Sequence, residues 1–135
     1  MQNIPRSNFQ NRGVLTIAHS KMKYARQALN LARSIRLHSP GLPLAVATDL
    51  DEDFFKGLYN HVIPWDFSIW KGLVSKLEIF QITPFRTTLY LDSDCITVAS
   101  LENVFAYFEG AKVYTEDGEI YIVSNSEFNC CKEPN

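Results

Sequence analysis

The chain has 135 residues, 46% of them hydrophobic and 13% aromatic, which is enough to bury the core of one domain and excludes intrinsic disorder as its overall state. Its 13 basic and 15 acidic residues leave a formal charge of -2, so no electrostatic argument favours nucleic acid as a partner. No apolar run reaches the roughly 20 residues of a membrane helix, and the polar opening stretch lacks the apolar segment of a secretory signal.

Residues 1–12 read as a polar, loosely ordered N-terminus, 13–124 as a single α/β domain and 125–135 as a C-terminal tail. The run Val-Leu-Thr-Ile-Ala at 14–18 is apolar and β-branched, the pattern of a strand buried on both faces in a parallel sheet. Ser20 offers an N-cap. Tyr24, Ala25, Ala28, Leu29, Ala32 and Ile35, with Arg36 at the margin, then form a helical stripe that Ser39, Pro40 and Gly41 end. Residues 42–48 predict a second strand. The acidic stretch 49–52 opens a short helix toward Tyr59, and 61–64 predict a brief third strand. Ser68 can cap a helix running to about Ile82, with Ile69, Leu73, Leu77 and Phe80 on its apolar face. Residues 86–91 predict a fourth strand that ends in Asp92, Ser93 and Asp94. Ser100 caps a further helix in which Leu101, Val104, Phe105 and Phe108 share a face, and Gly110 stops it. Two short strands, 113–115 and 120–123, flank Glu116, Asp117, Gly118 and Glu119 in a hairpin pattern.

Strands alternating with helices predict an α/β fold, an open and mostly parallel sheet with helices on both faces. Ligands of such sheets bind beyond the carboxyl ends of the strands. The residues to inspect are therefore 18–20, 48–49 and 92–94. Three cysteines, Cys95 and the adjacent Cys130 and Cys131, make a poor disulfide framework and point to a reduced, cytoplasmic setting. The adjacent pair also lacks the C-x₂-C spacing of a soft-metal site.

Asp92 and Asp94 put two carboxylates at the end of an apolar strand. Desolvating two like charges so close together is costly unless a cation joins them. Hard divalent ions such as Mg²⁺ or Mn²⁺ prefer oxygen ligands and bridge carboxylates to phosphate oxygens. The bland alternative is a solvated Asp-Ser-Asp turn, because a D-x-D by itself is a short pattern. Lys76 falls at the edge of the apolar face of its helix. It either snorkels from the core edge or reaches into a site that needs positive charge.

Lys76-Leu77-Glu78-Ile79-Phe80, then Thr83-Pro84-Phe85, then Thr88-Leu89-Tyr90-Leu91-Asp92-Ser93-Asp94-Cys95-Ile96-Thr97-Val98 resembles the core signature of nucleotide-sugar glycosyltransferases. The match is to the glycogenin-like and lipopolysaccharide-galactosyltransferase-like group, family 8, of GT-A fold. Tyr24-Ala25-Arg26-Gln27-Ala28-Leu29 and Leu101-Glu102-Asn103-Val104-Phe105 resemble the helices that open that family's fold and follow its D-x-D. The resemblance covers residues 13 to 108. It implies a Rossmann-like nucleotide-diphospho-sugar transferase domain that uses a nucleotide-sugar donor, a sugar or glycan acceptor and Mn²⁺ or Mg²⁺. Asp94 would ligate the metal, and Asp92 would contact the metal or the ribose. Ser93 would lie close to the nucleotide, and Lys76 would meet the sugar diphosphate. Ala18, His19 and Tyr24 would lie where the family holds the base. His19 and Ser20 depart from the family's Thr-Asn-Asp-like sequence there, which leaves the base open; a partly exposed loop histidine is the bland reading of His19. The residues themselves assign neither retention nor inversion, and the resemblance suggests retention.

Family members continue past the D-x-D into a second half that builds the acceptor site and adds a metal ligand, usually a histidine. His19, His38 and His61 all precede the motif. The expectation is thus a truncated domain: a metal-dependent glycosyltransferase or its donor-binding part, whose under-covered apolar face invites a homo-oligomer. A catalytically inactive nucleotide-sugar-binding remnant is the alternative. A phosphatase of the haloacid-dehalogenase type ranks lower, since its D-x-D-x-T pattern would need threonine where Ile96 stands.

Overall fold

A computed structural model describes residues 10–69, 78, 83–108, 113–114 and 121–124. The apolar run at 14–18 is the second part of a longer strand, β1 (Gln10–Ala18). Beside it lie β2 (Leu44–Thr48), β3 (His61–Pro64), β4 (Phe85–Tyr90), β5 (Val113–Tyr114) and β6 (Tyr121–Ser124). The sheet order is β3-β2-β1-β4-β6-β5. The first four strands run parallel, and β6 pairs antiparallel with both β4 and β5. This is the open, mostly parallel α/β sheet that the alternating pattern predicts.

Burial on both faces explains why β2 and the second part of β1 are almost wholly apolar. All five residues of β2 are buried. Val14 and Ala18 of β1, Leu44 and Val46 of β2 and Leu89 of β4 face one cluster, while Leu15, Ile17, Ala45, Ala47 and Tyr90 face the other. The first cluster is closed by α1 (Met22–His38), which buries Ala25, Ala28, Leu31, Ala32 and Ile35. Leu101 and Phe105, beside and within α2 (Glu102–Phe108), join it, so these two close the core themselves. Phe67, Phe85 and Tyr90 fill the second cluster.

Several boundaries depart from the sequence pattern, each for a tertiary reason. Gln10 and Arg12 are polar yet belong to β1, because β4 supplies their ladder partners: Gln10 pairs with Phe85 and Arg12 with Thr87. The predicted cap Ser20 does not cap α1. Lys21 holds the cap position without a side-chain bond, and Ser20 takes a left-handed backbone, with φ 68°, whose N–H donates to Asp49 Oδ1 at 2.9 Å. A carboxylate brought in by β2 outweighs the local capping preference. The acidic helix toward Tyr59 shrinks to one turn of 3₁₀ helix, Glu52–Phe54, with Asp51 accepting from the Asp53 N–H. Ser100 lies one residue before the cap position of α2, which Leu101 holds, and its hydroxyl accepts from the Glu102 N–H at 3.2 Å. Ile69, expected on an apolar face, is exposed.

The body of the helix expected over 68–82, with Lys76, lies outside the described residues. So do residues 1–9, the hairpin turn 116–119, the side chains of Phe108, Tyr114 and Tyr121, and the tail 125–135 with Cys130 and Cys131. Among the described residues no helix is long and apolar enough to cross a membrane.

Candidate functional site

The strand order locates the site. From β1 the chain builds outward through β2 to β3, then returns to place β4 on the other side of β1. The direction of winding therefore reverses between β1 and β4. The two loops leaving a reversal diverge and open a crevice at the carboxyl ends of the strands. A cleft of about 460 Å³ lies there, lined by Ile17, His19, Lys23, Tyr24, Gln27, Tyr90, Asp92, Ser93 and Asp94.

Five of the residues that the sequence singles out meet in this cleft: His19, Tyr24, Asp92, Ser93 and Asp94. Ala18 does not line it. Its methyl is fully buried in the cluster under α1, so it adjoins the cleft only through its chain neighbour His19. Residues 48–49, the third strand end to inspect, stay outside the cleft, although Asp49 steadies its rim through Ser20. Lys76 lies outside the described residues.

Asp92 and Asp94 are not on a regular strand. β4 ends at Tyr90, and the Cys95 N–H donates to the Asp92 carbonyl at 3.0 Å, which closes a turn. Asp92 is half-buried and Asp94 exposed. The Tyr90 hydroxyl donates to Asp92 Oδ1 at 2.7 Å. Across the cleft the Ser93 hydroxyl lies 3.5 Å from Gln27 Oε1, a long contact between the turn and α1. Further along, Ser34 Oγ accepts from the Thr97 N–H at 3.0 Å and Ser39 Oγ from the Leu101 N–H at 2.9 Å. The segment carrying the two carboxylates is thus tied to α1 at several points.

The other wall is aromatic. The His19 ring stacks on Phe67, with centroids 4.6 Å apart and planes 13° from parallel, and faces Tyr24 at 6.2 Å and 21°. Phe67 sits beside a turn in which the Ser68 N–H donates to Asp66 Oδ1 at 2.8 Å. That bond holds the Asp66 carboxyl below its ordinary pKa, because it favours the charged form. Lys23 Nζ lies 5.1 Å from the Tyr24 ring centroid.

The sequence patterns do not single out Ile17, Lys23, Gln27 or Tyr90. Two of these are within reach of simple periodicity. Gln27 lies three residues beyond Tyr24 on a helix, and Tyr90 lies two residues before Asp92, the spacing that puts strand residues on one face. Chemically the cleft offers hard oxygen donors on one wall, rings on the other and an ammonium at the rim. Among the described residues no group of three His, Cys, Asp or Glu side chains forms a metal cage. Two carboxylates fit Mg²⁺ or Mn²⁺ with water and phosphate oxygens completing the shell.

No protein-family model matches the chain. Over 59 residues it is 37% identical to glucose N-acetyltransferase 1 of Saccharomyces cerevisiae, a match covering 44% of this chain and 12% of that protein. Its structure is similar to the glycosyltransferase GlyE of Streptococcus pneumoniae TIGR4, with a TM-score of 0.64 and 19% identity, over 87% of this chain and 35% of GlyE. TarS 1-349 of S. aureus gives a TM-score of 0.52 at 14% identity, over 75% of this chain and 33% of TarS. The chain spans about a third of the length of these two solved structures. The α/β fold implied by the sequence resemblance is the fold this chain shares with the glycosyltransferase GlyE.

Proposed function

We propose that the chain is the donor-binding part of a glycosyltransferase that uses a nucleotide-sugar and a divalent cation. The observation that carries this reading is the cleft at the reversal between β1 and β4, where Asp92 and Asp94 face His19 and Tyr24. In this reading the aromatic wall takes the base and the carboxylate wall takes the diphosphate end. Asp94, the more exposed carboxylate, ligates Mn²⁺ or Mg²⁺; Asp92 ligates the ion or the ribose, and Ser93 lies near the nucleotide. The ion, when bound, offsets the charge that develops on the departing nucleoside diphosphate. Lys76 adds a second positive charge at the sugar diphosphate. The acceptor is a sugar or glycan, and the poor disulfide framework that the three cysteines make fits a cytoplasmic setting.

Two carboxylates leave most of an octahedral shell to water and diphosphate oxygens. Metal binding by the chain alone is therefore weak, and metal and nucleotide tighten each other by the same factor. Calorimetric titration of uridine, adenosine and guanosine diphosphate, each with and without Mn²⁺, tests this. The expected result is much tighter binding of at least one nucleotide with Mn²⁺. Asp94→Asn removes most of that gain at little cost in stability, since it relieves repulsion with Asp92. Lys76→Met weakens the diphosphate with the fold intact. Equal affinities with and without Mn²⁺ for all three nucleotides would overturn the reading.

A further inference from the structure

Most of the outward face of α1 lies outside the donor cleft. Lys23, Arg26, Asn30, Arg33 and Leu37 follow one another at spacings of three and four along this 17-residue helix, so they form one stripe, and all five are exposed. Lys21, exposed at the cap position, adds a fourth cation. The helix contains no acidic residue, although the whole chain carries a formal charge of -2. Among the described residues none of these four cations pairs with a carboxylate. Arg33 Nη1 donates to the neutral Asn30 Oδ1 at 3.2 Å. An apolar margin runs along the stripe. The Thr97 N–H donates to Ser34 Oγ at 3.0 Å, and the Thr97 hydroxyl lies 3.3 Å from the same oxygen, so Thr97 is held against α1. On either side of it Ile96 and Val98 are 67% and 84% exposed, and Leu37, one turn beyond Ser34, is 76% exposed.

We propose that this face docks on a membrane leaflet carrying anionic phospholipids, with Lys21, Lys23, Arg26 and Arg33 at the headgroups and Leu37, Ile96 and Val98 dipping into the apolar boundary beneath them. Charge complementarity carries the first half of the argument: each Lys or Arg held at an anionic leaflet strengthens binding by about fivefold. The apolar margin carries the second half. A soluble acidic polymer offers charge but leaves Leu37, Ile96 and Val98 in water, whereas a bilayer satisfies cations and apolar side chains together. The proposal does not depend on the donor-site reading. Because Lys23 also lines the cleft, docking holds that rim at the bilayer.

Co-sedimentation of the chain with vesicles of phosphatidylcholine, alone or mixed with phosphatidylserine, tests this. Binding is expected to the mixed vesicles and should fall as salt is raised. Arg26→Gln and Arg33→Gln should each weaken it by about fivefold. Lys56→Gln removes an equal charge from a side chain that lies off this face and pairs with Asp53, and should leave binding unchanged. Leu37→Ser and Val98→Ser should weaken vesicle binding while leaving affinity for soluble polyphosphate as it was. Every altered side chain is exposed, so circular dichroism melts of all the variants should coincide with that of the unaltered chain. No binding to the mixed vesicles overturns the proposal. Equal losses in Lys56→Gln and Arg26→Gln also overturn it, since net charge and not this face would then be at work. Vesicle binding that Leu37→Ser and Val98→Ser leave untouched, and that polyphosphate competes away, overturns the bilayer as the partner and assigns the face to a soluble acidic polymer.

Discussion

Ser20 is the one non-glycine residue with positive φ among the described residues, at 68°. Its N–H on Asp49 holds the loop between β1 and α1, and that loop carries His19 into the cleft. A left-handed backbone brings Cβ close to the following carbonyl, at about 1–2 kcal/mol for ordinary residues. Glycine avoids that contact, and a β-branched residue suffers it most. Ser20→Gly should therefore leave the urea midpoint unchanged or raise it, and Ser20→Val should lower stability by about 1–2 kcal/mol. Equal midpoints for the two variants would mean that the loop relaxes away from this conformation. Serine at position 20 suggests a cap because serine favours that place. Nothing local announces Asp49, which arrives from the loop after β2.

At the scale of elements, β1 illustrates how close packing constrains a strand. A Cβ on Gly13 would overlap ring carbons of Phe85, which is fully buried. The buried ring would have to shift against its neighbours, so Gly13→Ala should destabilise by about 1–3 kcal/mol, as overpacked cores do. Denaturant unfolding checks this, and a neutral effect would show that the ring shifts freely. β3 makes a pH prediction. Partial burial holds the His61 imidazole below its ordinary value near 6.5, because desolvation disfavours the charged ring. The unfolded chain then takes up the proton first on acidification. The stabilising contribution is complete above the unfolded value and is lost as pH falls through it toward the depressed folded value. Melting temperatures should fall less steeply for His61→Gln than for the unaltered chain over that window. Parallel profiles would remove His61 as the cause.

At the scale of the whole molecule, ligand binding and folding are linked. A ligand present at a hundred times its dissociation constant adds about 2.7 kcal/mol to stability. A nucleoside diphosphate with Mn²⁺ should therefore raise the melting temperature by more than the two separate increments together, and strict additivity would count against a shared site. Much of this architecture was legible along the chain. The buried strand at 14–18, the stripe of α1, the strand at 61–64 and the helix after Ser100 follow from local periodicity and chain chemistry, which act within a few residues. The carboxylate pair was legible too, since an Asp-Ser-Asp at a strand end is a local pattern. Three strand ends looked alike in sequence, however, and only the strand order selected two of them. Placing β4 beside β1 opens a crevice between 18–20 and 92–94 and leaves 48–49 at its edge. Tyr90 on Asp92, Phe67 under His19 and Asp49 on Ser20 likewise required the tertiary structure. The sequence by itself determined the elements and the chemistry they carry, because periodicity, capping and charge are short-range properties. The tertiary structure decided which of those groups face one another, because strand order is set by burial and pairing summed over the whole chain.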